Sequence, residues 1–481
     1  MNTAGNIQVK LGDKELQTVK TLNITQRIND HVRVRISGIV NPDDQDSYIT
    51  YTESDTILSV NQILPTGTVS LFKGLVTKVT VESVAGIYWI QIEGVSFSYA
   101  LDTELKTRSY QDQNMTYQDL LQEVLSAYQK ADFNISPHLA KQQLNHFFFQ
   151  YQESDWDFLK RIASGHNVGL VPARTIEGIC FTFGIPDHGE TLDLSGEEAY
   201  QLHKDFGAYR KTKANTIEGL DETDCWIYQL KTKKLLELGQ PVKFQEKSLS
   251  VLESFMVIEG DLLNFYACLT TAEGLKQKLI LNEKIMGTAQ EGIVIDVQND
   301  RVRVDFNVDR LQKRQLTKEK AFWFPYATLY TASGNTGWYW MPEIGDSIKV
   351  YFPSNREHEG VALDAVRRRE KESERLRKPD IKFIRTESEK EFRFDNKQLA
   401  ISTNEGKMRV RLDVQDGIEI TSEKEINIDS NGDIVVNCGR NMKISADKAI
   451  NLECKESSIN FTNKGLLEFK GTEVKKDAGD L

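Results

Sequence analysis

The sequence predicts a mainly β fold that ends in a stacked repeat, and three observations carry that reading. First, residues 417–471 run in blocks of eight: GIEITSEK, EINIDSNG, DIVVNCGR, NMKISADK and AINLECKE, then SSINFTNKG (one residue longer) and LLEFKG. Second, residues 1 to about 100 are short apolar alternations separated by turn signals, the period of half-buried strands. Third, residues 292–361 contain five more such alternations in close succession.

In the repeat, the second place of each block holds Ile418, Ile426, Ile434, Met442, Ile450, Ile459 and Leu467. The fourth holds Ile420, Ile428, Val436, Ile444, Leu452, Phe461 and Phe469, and the sixth holds small residues, Ser422, Ser430, Cys438, Ala446 and Cys454. Two apolar residues flanking a polar one lie on one face of a strand. A polar remainder such as Asp429-Ser430-Asn431-Gly432 then bends the chain. A fixed short period of this kind marks a stacked repeat. Strands this short leave most backbone donors and acceptors without partners inside one chain. Eight residues are also few for one chain to circle and fill a core. Three intertwined copies resolve both problems, because each supplies one side of every layer. The expectation is a triple-stranded β-helix needle formed by a homotrimer, with those fourteen second- and fourth-place residues as its core.

With 481 residues the chain has room for about three domains. Its hydrophobic content of 39% suffices for globular cores. A net charge of −11 argues against binding nucleic acid or an anionic membrane surface, which requires clustered Lys and Arg. No apolar run reaches a membrane span, and the N-terminus MNTAGNIQVKLGDKE lacks the apolar core of a signal peptide. Assembly in the cytoplasm is the expectation, with any export by another route. Five widely spaced cysteines without a CxxC pair indicate neither a disulfide framework nor a zinc site.

In chain order, Ile7-Val9-Leu11, Val32-Val34-Ile36, Val76-Val79-Val81 and Tyr88-Ile90-Ile92 read as strands, separated by turns such as Asn41-Pro42-Asp43 and Ala85-Gly86. Spacing of this kind suits a barrel or sandwich. Thr116 caps a helix expected over 117–130, with Asp119 placed for a capping box. Ser154 caps a helix from Asp155 to Ser164, stopped by Gly165. Val168-Leu170-Val171 and Ile179-Phe181-Phe183 follow as a hairpin, with more strands to about residue 285.

The run from Phe147 to Ala163, FFFQYQESDWDFLKRIA, resembles the "YxESDxxFLxRLA" segment of the hub domain in the VgrG family, the spike proteins of contractile injection machines. Phe72-Lys73-Gly74-Leu75-Val76-Thr77 is similar to that family's "FxGxVT" turn, and the Ser96-Tyr99-Asp102 stretch sits where the family has it. Further on, Gly292-Ile293-Val294, Arg301–Phe306, Trp323-Phe324-Pro325, Pro342–Phe352 and Gly360-Val361 follow the order of the family's small barrel and its "PExGDxVxVxF" run. By alternation alone these are five short strands, which suits an OB-type barrel.

These readings divide the chain into a β-barrel hub with small helices (1–288), an OB-type barrel (289–369), a charged connector (370–397), the needle (398–472) and a polar tail (473–481). The resemblance implies a spike seated on an Hcp-like inner tube within a baseplate and driven through a target envelope by sheath contraction. It also implies a PAAR-like tip protein and effectors as partners, with the target membrane contacted only mechanically. The lysozyme-like domain and long C-terminal effector domain of some relatives have no counterpart here. The last histidine is His358, so a histidine-liganded needle tip is excluded.

No catalytic constellation emerges. His358-Glu359 lacks a second histidine at metalloprotease spacing, and no G-x-S-x-G elbow, P-loop or G-x-G-x-x-G occurs. Asp221, Glu222 and Asp224 beside Cys225 read as a solvated loop, and His138, His146 and His166 lack ligand spacing. No enzyme, cofactor or metal is expected. The rival readings are a trimeric receptor-binding fibre and a cell-wall hydrolase.

Overall fold

The computed structural model describes residues 7–197, 199–214, 221–332, 336–365, 378, 380–403, 406–473 and 475. The chain divides into two compact units, Met1–Arg368 and Arg369–Leu481. Residues 366–377 and Pro379, which include the start of the charged connector, lie outside the described residues, as do Val474 and 476–481 of the tail.

In the first unit a 13-stranded sheet forms the hub. Its long antiparallel path runs from Tyr200–Lys204 through Trp226–Thr232, Leu262–Thr270 and Lys247–Glu259, and continues through Thr18–Arg27, Arg33–Val40, Ile87–Ser96, Gly67–Val84, Ile57–Leu64 and Ile7–Leu11. All four expected N-terminal alternations fall on strands, with Val32 just ahead of its own; Ile7, Val9, Leu11, Val32, Val34, Ile36, Ile90 and Ile92 are buried, whereas Val76, Val79, Val81 and Tyr88 are only partly buried against them. The sheet carries two separate cores: one of Leu22, Ile24, Val60, Phe72 and neighbours, the other of Leu230, Val242, Phe244, Val251 and Leu269. Beyond Ile7–Leu11 the path ends on Lys14–Glu15, and that strand and Tyr200–Lys204 are each paired on one side only, so among the described residues the hub is an open sheet with two cores and not a closed barrel.

A third core belongs to the helices and the small sheet beside them. Thr116 and Asp119 form the full capping box of Tyr117–Leu125. That helix is shorter than expected, because it stops at Ser126, whose hydroxyl donates to the Glu123 carbonyl, and Lys130 has a left-handed φ of 51°. The second helix, Asp155–Ser164, has the expected limits, with Ser154 accepting from the Asp157 amide. The hairpin Leu170–Pro172/Ile179–Phe183 also forms. Helices at Gln45–Tyr51, which has no side-chain cap bond, and at Phe206–Ala214, a nine-residue run without a long apolar stripe, escaped the sequence reading.

The OB domain is a five-stranded sheet in the order Trp323–Pro325, Arg301–Phe306, Ala289–Gln298, Ser347–Tyr351, Val361–Ala365. A parallel bridge from Tyr326 to Ala362 brings its two outer strands together. Gly292 lets the first strand pass beneath its neighbour: a Cβ there would lie 2.4 Å from Val304 Cγ1.

The second unit contains two antiparallel meanders, of five strands (Lys382–Arg385, Glu391–Phe394, Gln398–Thr403, Met408–Asp413, Gly417–Thr421) and of three (Ala449–Cys454, Ser457–Thr462, Leu467–Lys470). Between them no strand or helix forms, and two-residue bends fall at 423–424, 431–432, 439–440 and 447–448. Bends every eight residues are the rhythm of the sequence repeat, present in the backbone over 422–448. On either side the chain instead doubles back in hairpins. Lys455, with φ 52°, makes the tight turn that folds the sixth block onto the fifth.

Candidate interaction sites

Two places concentrate the chemistry of this chain: the joint of hub and OB domain, and the apolar faces of the second unit.

The joint is built from the Phe147–Ala163 run. Phe147 and Phe149 are fully buried in the OB core with Phe306, Phe324 and Phe352, so the hub strand ending in Glu153 contributes to the neighbouring domain. Asp155, at the first turn of its helix, is enclosed and paired with Lys106 at 2.7 Å and Arg108 at 2.6 Å, and it accepts from the Tyr128 hydroxyl. On the same helix Arg161 pairs with Glu153 at 2.8 Å and with Glu357 of the OB domain at 2.6 Å, and donates to the Phe149 carbonyl. Burial alone would lower the Arg161 pKa; the charges of Glu357 and Glu153 outweigh it and hold the guanidinium above its ordinary value. A second clamp joins Ser109, whose amide and hydroxyl donate to Asp309, to Arg314, which pairs with Asp309 and Glu123. The motif's cap, acid and Arg positions were visible in the sequence. Glu357, the partner of Arg161, and Asp309, the partner of Ser109, each about 200 residues away, were not.

In the second unit the register places the predicted residues on shared faces. Ile450 faces Phe461, Leu452 faces Ile459, and Ile459 and Phe461 face Phe469 and Leu467. In the larger meander Ile384, Phe392, Ile401, Val410 and Ile420 form one cross-strand row, and Phe394, Leu399, Leu412 and Ile418 the next. Cross-strand partners project from the same face of a sheet. The opposite face is polar and ion-paired, through Arg385–Glu391, Arg393–Asp395, Arg409–Glu419 and Arg411–Glu419. The structure therefore holds an amphipathic sheet whose apolar side is uncovered in one chain. Of the fourteen predicted core residues, Ile450 and Ile459 are half-buried; the rest are exposed, Ile418 and Ile428 to 74%. Cys438 and Cys454 are likewise exposed free thiols.

The groups considered for catalysis have structural partners. Asp221 and Asp224 cap the short helix Glu222–Cys225 through a complete capping box. His138 bonds Gln142, and the His166 ring packs on Tyr117. One arrangement went unnoticed in the sequence: His31 Nδ1 lies 2.9 Å from the Ser98 hydroxyl and its Nε2 is 3.5 Å from Asp102. Ser98 and His31 are buried, Ser96 bonds the Ser98 hydroxyl, and Ser154 donates to Asp102. With no open approach to its hydroxyl, this set ties the first helical turn to the hub sheet. Among the described residues no cluster of three or more His, Cys, Asp or Glu could hold a metal ion.

Comparison with known proteins places these parts. Residues 52–194 match the family of the phage tail baseplate hub (GPD), and residues 290–366 match the type VI secretion system/phage-baseplate injector OB domain. The chain thus carries a segment similar to a baseplate hub followed by a segment similar to an injector OB domain. Among solved structures it is similar to the E. coli c3393 protein, described as a component of the type VI secretion system resembling the T4 bacteriophage tail proteins gp27 and gp5. That likeness has a TM-score of 0.50 and 14% identity, over 75% of this chain and 99% of that one. It is also similar to the Francisella PdpA–VgrG complex in its half-lidded form (TM-score 0.53, 10% identity, 86% of this chain and 87% of the other). The lidless form gives a TM-score of 0.53 and 9% identity, over 86% and 97%. At these identities the likeness is one of fold. The search of curated proteins finds no match.

Proposed function

We propose that this chain is the non-enzymatic central spike of a contractile injection machine, acting as a homotrimer. The observation that carries it is the uncovered apolar face of the second unit, on a chain that also carries the hub and OB domains. Taking each of those fourteen side chains from partly exposed to buried contributes roughly 1.5 kcal/mol, on the order of 20 kcal/mol per chain. That exceeds the roughly 4–15 kcal/mol cost of bringing molecules together. Three copies bury the faces against one another, and their backbones supply the hydrogen bonds that 422–448 lack in one chain.

Assembled in the cytoplasm, the trimer seats its hub on an Hcp-like inner tube within the baseplate. The needle, tipped by a PAAR-like protein and carrying effectors, is driven through the target envelope when the sheath contracts. The hub–OB joint transmits that load through aromatic packing and enclosed ion pairs. The test is the solution mass of the full chain by light scattering. A mass near three times 54.8 kDa supports the reading, and a monomer at micromolar concentration overturns it.

A further inference from the structure

A groove of about 430 Å³ opens between segments of the hub and of the OB domain. Its hub side holds His146, just ahead of the strand Phe148–Glu153, and His166, just past the helix Asp155–Ser164. Its OB side is the loop Arg356-Glu357-His358. Two guanidiniums and three imidazoles thus line it, against one carboxylate. That carboxylate is already engaged: Glu357 accepts from Arg161 at 2.6 Å and from Asn282 at 3.1 Å. Arg161 is likewise taken up, by Glu153 and Glu357.

Arg356 is left over. It is exposed, and its guanidinium has no ion pair among the described residues. The rings of His146 and His358, one from each domain, face each other with centroids 5.3 Å apart. Among the described residues no hydrogen bond reaches the nitrogens of either ring. His166 Nε2 is buried without a partner, while its ring stands edge-on to Tyr117 at 4.7 Å.

Charge selects the ligand. Burial, reinforced by the facing His358 and opposed by Glu357, holds His146 below the usual histidine range; burial and His138 do the same for His166. The empty groove therefore presents one uncommitted positive charge, on Arg356, beside imidazoles that gain a proton when an anion enters. A carboxylate would be neutralised by Arg356 alone. A phosphate group carries about −1.5 to −2 at pH 7 and three acceptor oxygens, which matches Arg356 plus one captured proton. Guanidinium geometry suits phosphate oxygens bidentately. The volume also leaves room for an organic group on the phosphate, at the scale of small-molecule pockets.

We infer that this groove binds a phosphate group, free or as a small monoester, held by Arg356 and by the facing His146 and His358. Such a ligand touches hub and OB segments together and so adds a link across the joint. The site lies wholly within the first unit and does not depend on the spike reading.

The experiment is isothermal titration of the full-length protein with inorganic phosphate and with glycerol phosphate, at constant ionic strength and about pH 7.5. Repeating it in buffers of different ionisation enthalpy reads proton uptake beside affinity. Saturable binding with uptake of about half to one proton per phosphate is the expected result. A bound anion raises the His146 pKa, so this contribution is present at low pH and lost as pH rises through the raised value. Affinity for glycerol phosphate accordingly grows about tenfold from pH 8 to about pH 6.5, one pKa unit being a factor of ten. Arg356→Gln weakens binding by about tenfold or more and leaves the melting temperature in phosphate-free buffer unchanged. His146→Gln retains binding through Arg356 and cuts the proton uptake by about half or more.

Tighter binding of glycerol phosphate than of phosphate assigns the monoester, and equal or weaker binding assigns the free ion; either upholds the site. Acetate bound as tightly as phosphate overturns it, as does binding without proton uptake or binding indifferent to Arg356→Gln. Neither heat nor a rise in melting temperature with both phosphate probes overturns it as well.

Discussion

Replacing Arg161 by methionine removes the cation at the centre of the hub–OB joint. The guanidinium lies against Glu153 and Glu357, whose side chains are 11% and 7% exposed, and its centre sits 5.4 Å from the Phe158 ring. Methionine retains most of the aliphatic volume, so the packing loss is small and the effect is electrostatic. Two enclosed carboxylates are left facing a vanished partner, and the Phe149 carbonyl loses a donor, though Asn282 still donates to it at 2.8 Å. Taking one partner from a buried ion pair costs about 3–5 kcal/mol. Glu357→Gln is milder, because its amide oxygen still accepts from Arg161 and Asn282; about 1–3 kcal/mol is expected. Urea unfolding of the full chain, read by fluorescence, measures both. The double variant is expected to lose less than the sum of the single losses, since the two side chains share one interaction. A loss under about 1 kcal/mol for Arg161→Met would refute the view that this ion cluster fastens the domains.

Four further outcomes are expected. Phe149→Ala empties a fully buried site in the OB core and costs about 3–5 kcal/mol, seen as an earlier urea midpoint. Ser154→Ala removes both the cap of Asp155–Ser164 and a donor to Asp102, for about 1–2 kcal/mol in the same assay. His146 is held below the usual histidine range first by burial and then by the facing His358, with Glu357 opposing; burial and His138 lower His166 in the same way. Groups with depressed folded pKa values stabilise above the unfolded value near 6.5 and lose that contribution as pH falls through the folded one. The melting temperature therefore drops between pH 7.5 and 5.5, and His146→Gln flattens the dependence. Ile444→Asp sets three carboxylates in one apolar layer and abolishes needle assembly, which light scattering detects as loss of trimer mass.

Local signals were the legible ones. Thr116 with Asp119, and Ser154 with Asp157, mark both helix starts because a cap is decided within four residues. Alternation marked the hub and OB strands because one face of each is buried. Pairing at a distance left no local trace: nothing near Arg161 points to Glu357, and nothing near Ser109 points to Asp309. The limits of Gln45–Tyr51 were hidden for a different reason, since Asp44 precedes it without a side-chain cap bond. The fourteen repeat residues were legible as a set because an eight-residue period cannot arise from one core-facing strand. What covers them was not, because within the described residues of one chain nothing does.

That last point has a direct physical consequence in residues 422–448. Among the described residues no strand lies between Thr421 and Ala449, and the apolar residues there, from Ile426 to Ile444, are exposed. A single chain held this way leaves both its side chains and its amides to water, so those amides exchange at nearly open-chain rates. Intertwined with two copies, the same amides join interchain ladders, and exchange waits for the ladder to open. An opening free energy of about 4 kcal/mol slows exchange roughly a thousandfold. Hydrogen–deuterium exchange on the full-length protein separates the two states peptide by peptide. The hub sheet, with its two buried cores, serves as the slow reference. Slow exchange across 422–448 in a species of trimer mass means the eight-residue bends are the corners of an interchain needle. Exchange complete within seconds there, with the hub protected, would mean the bends form without partners and the apolar faces are covered by something other than this chain.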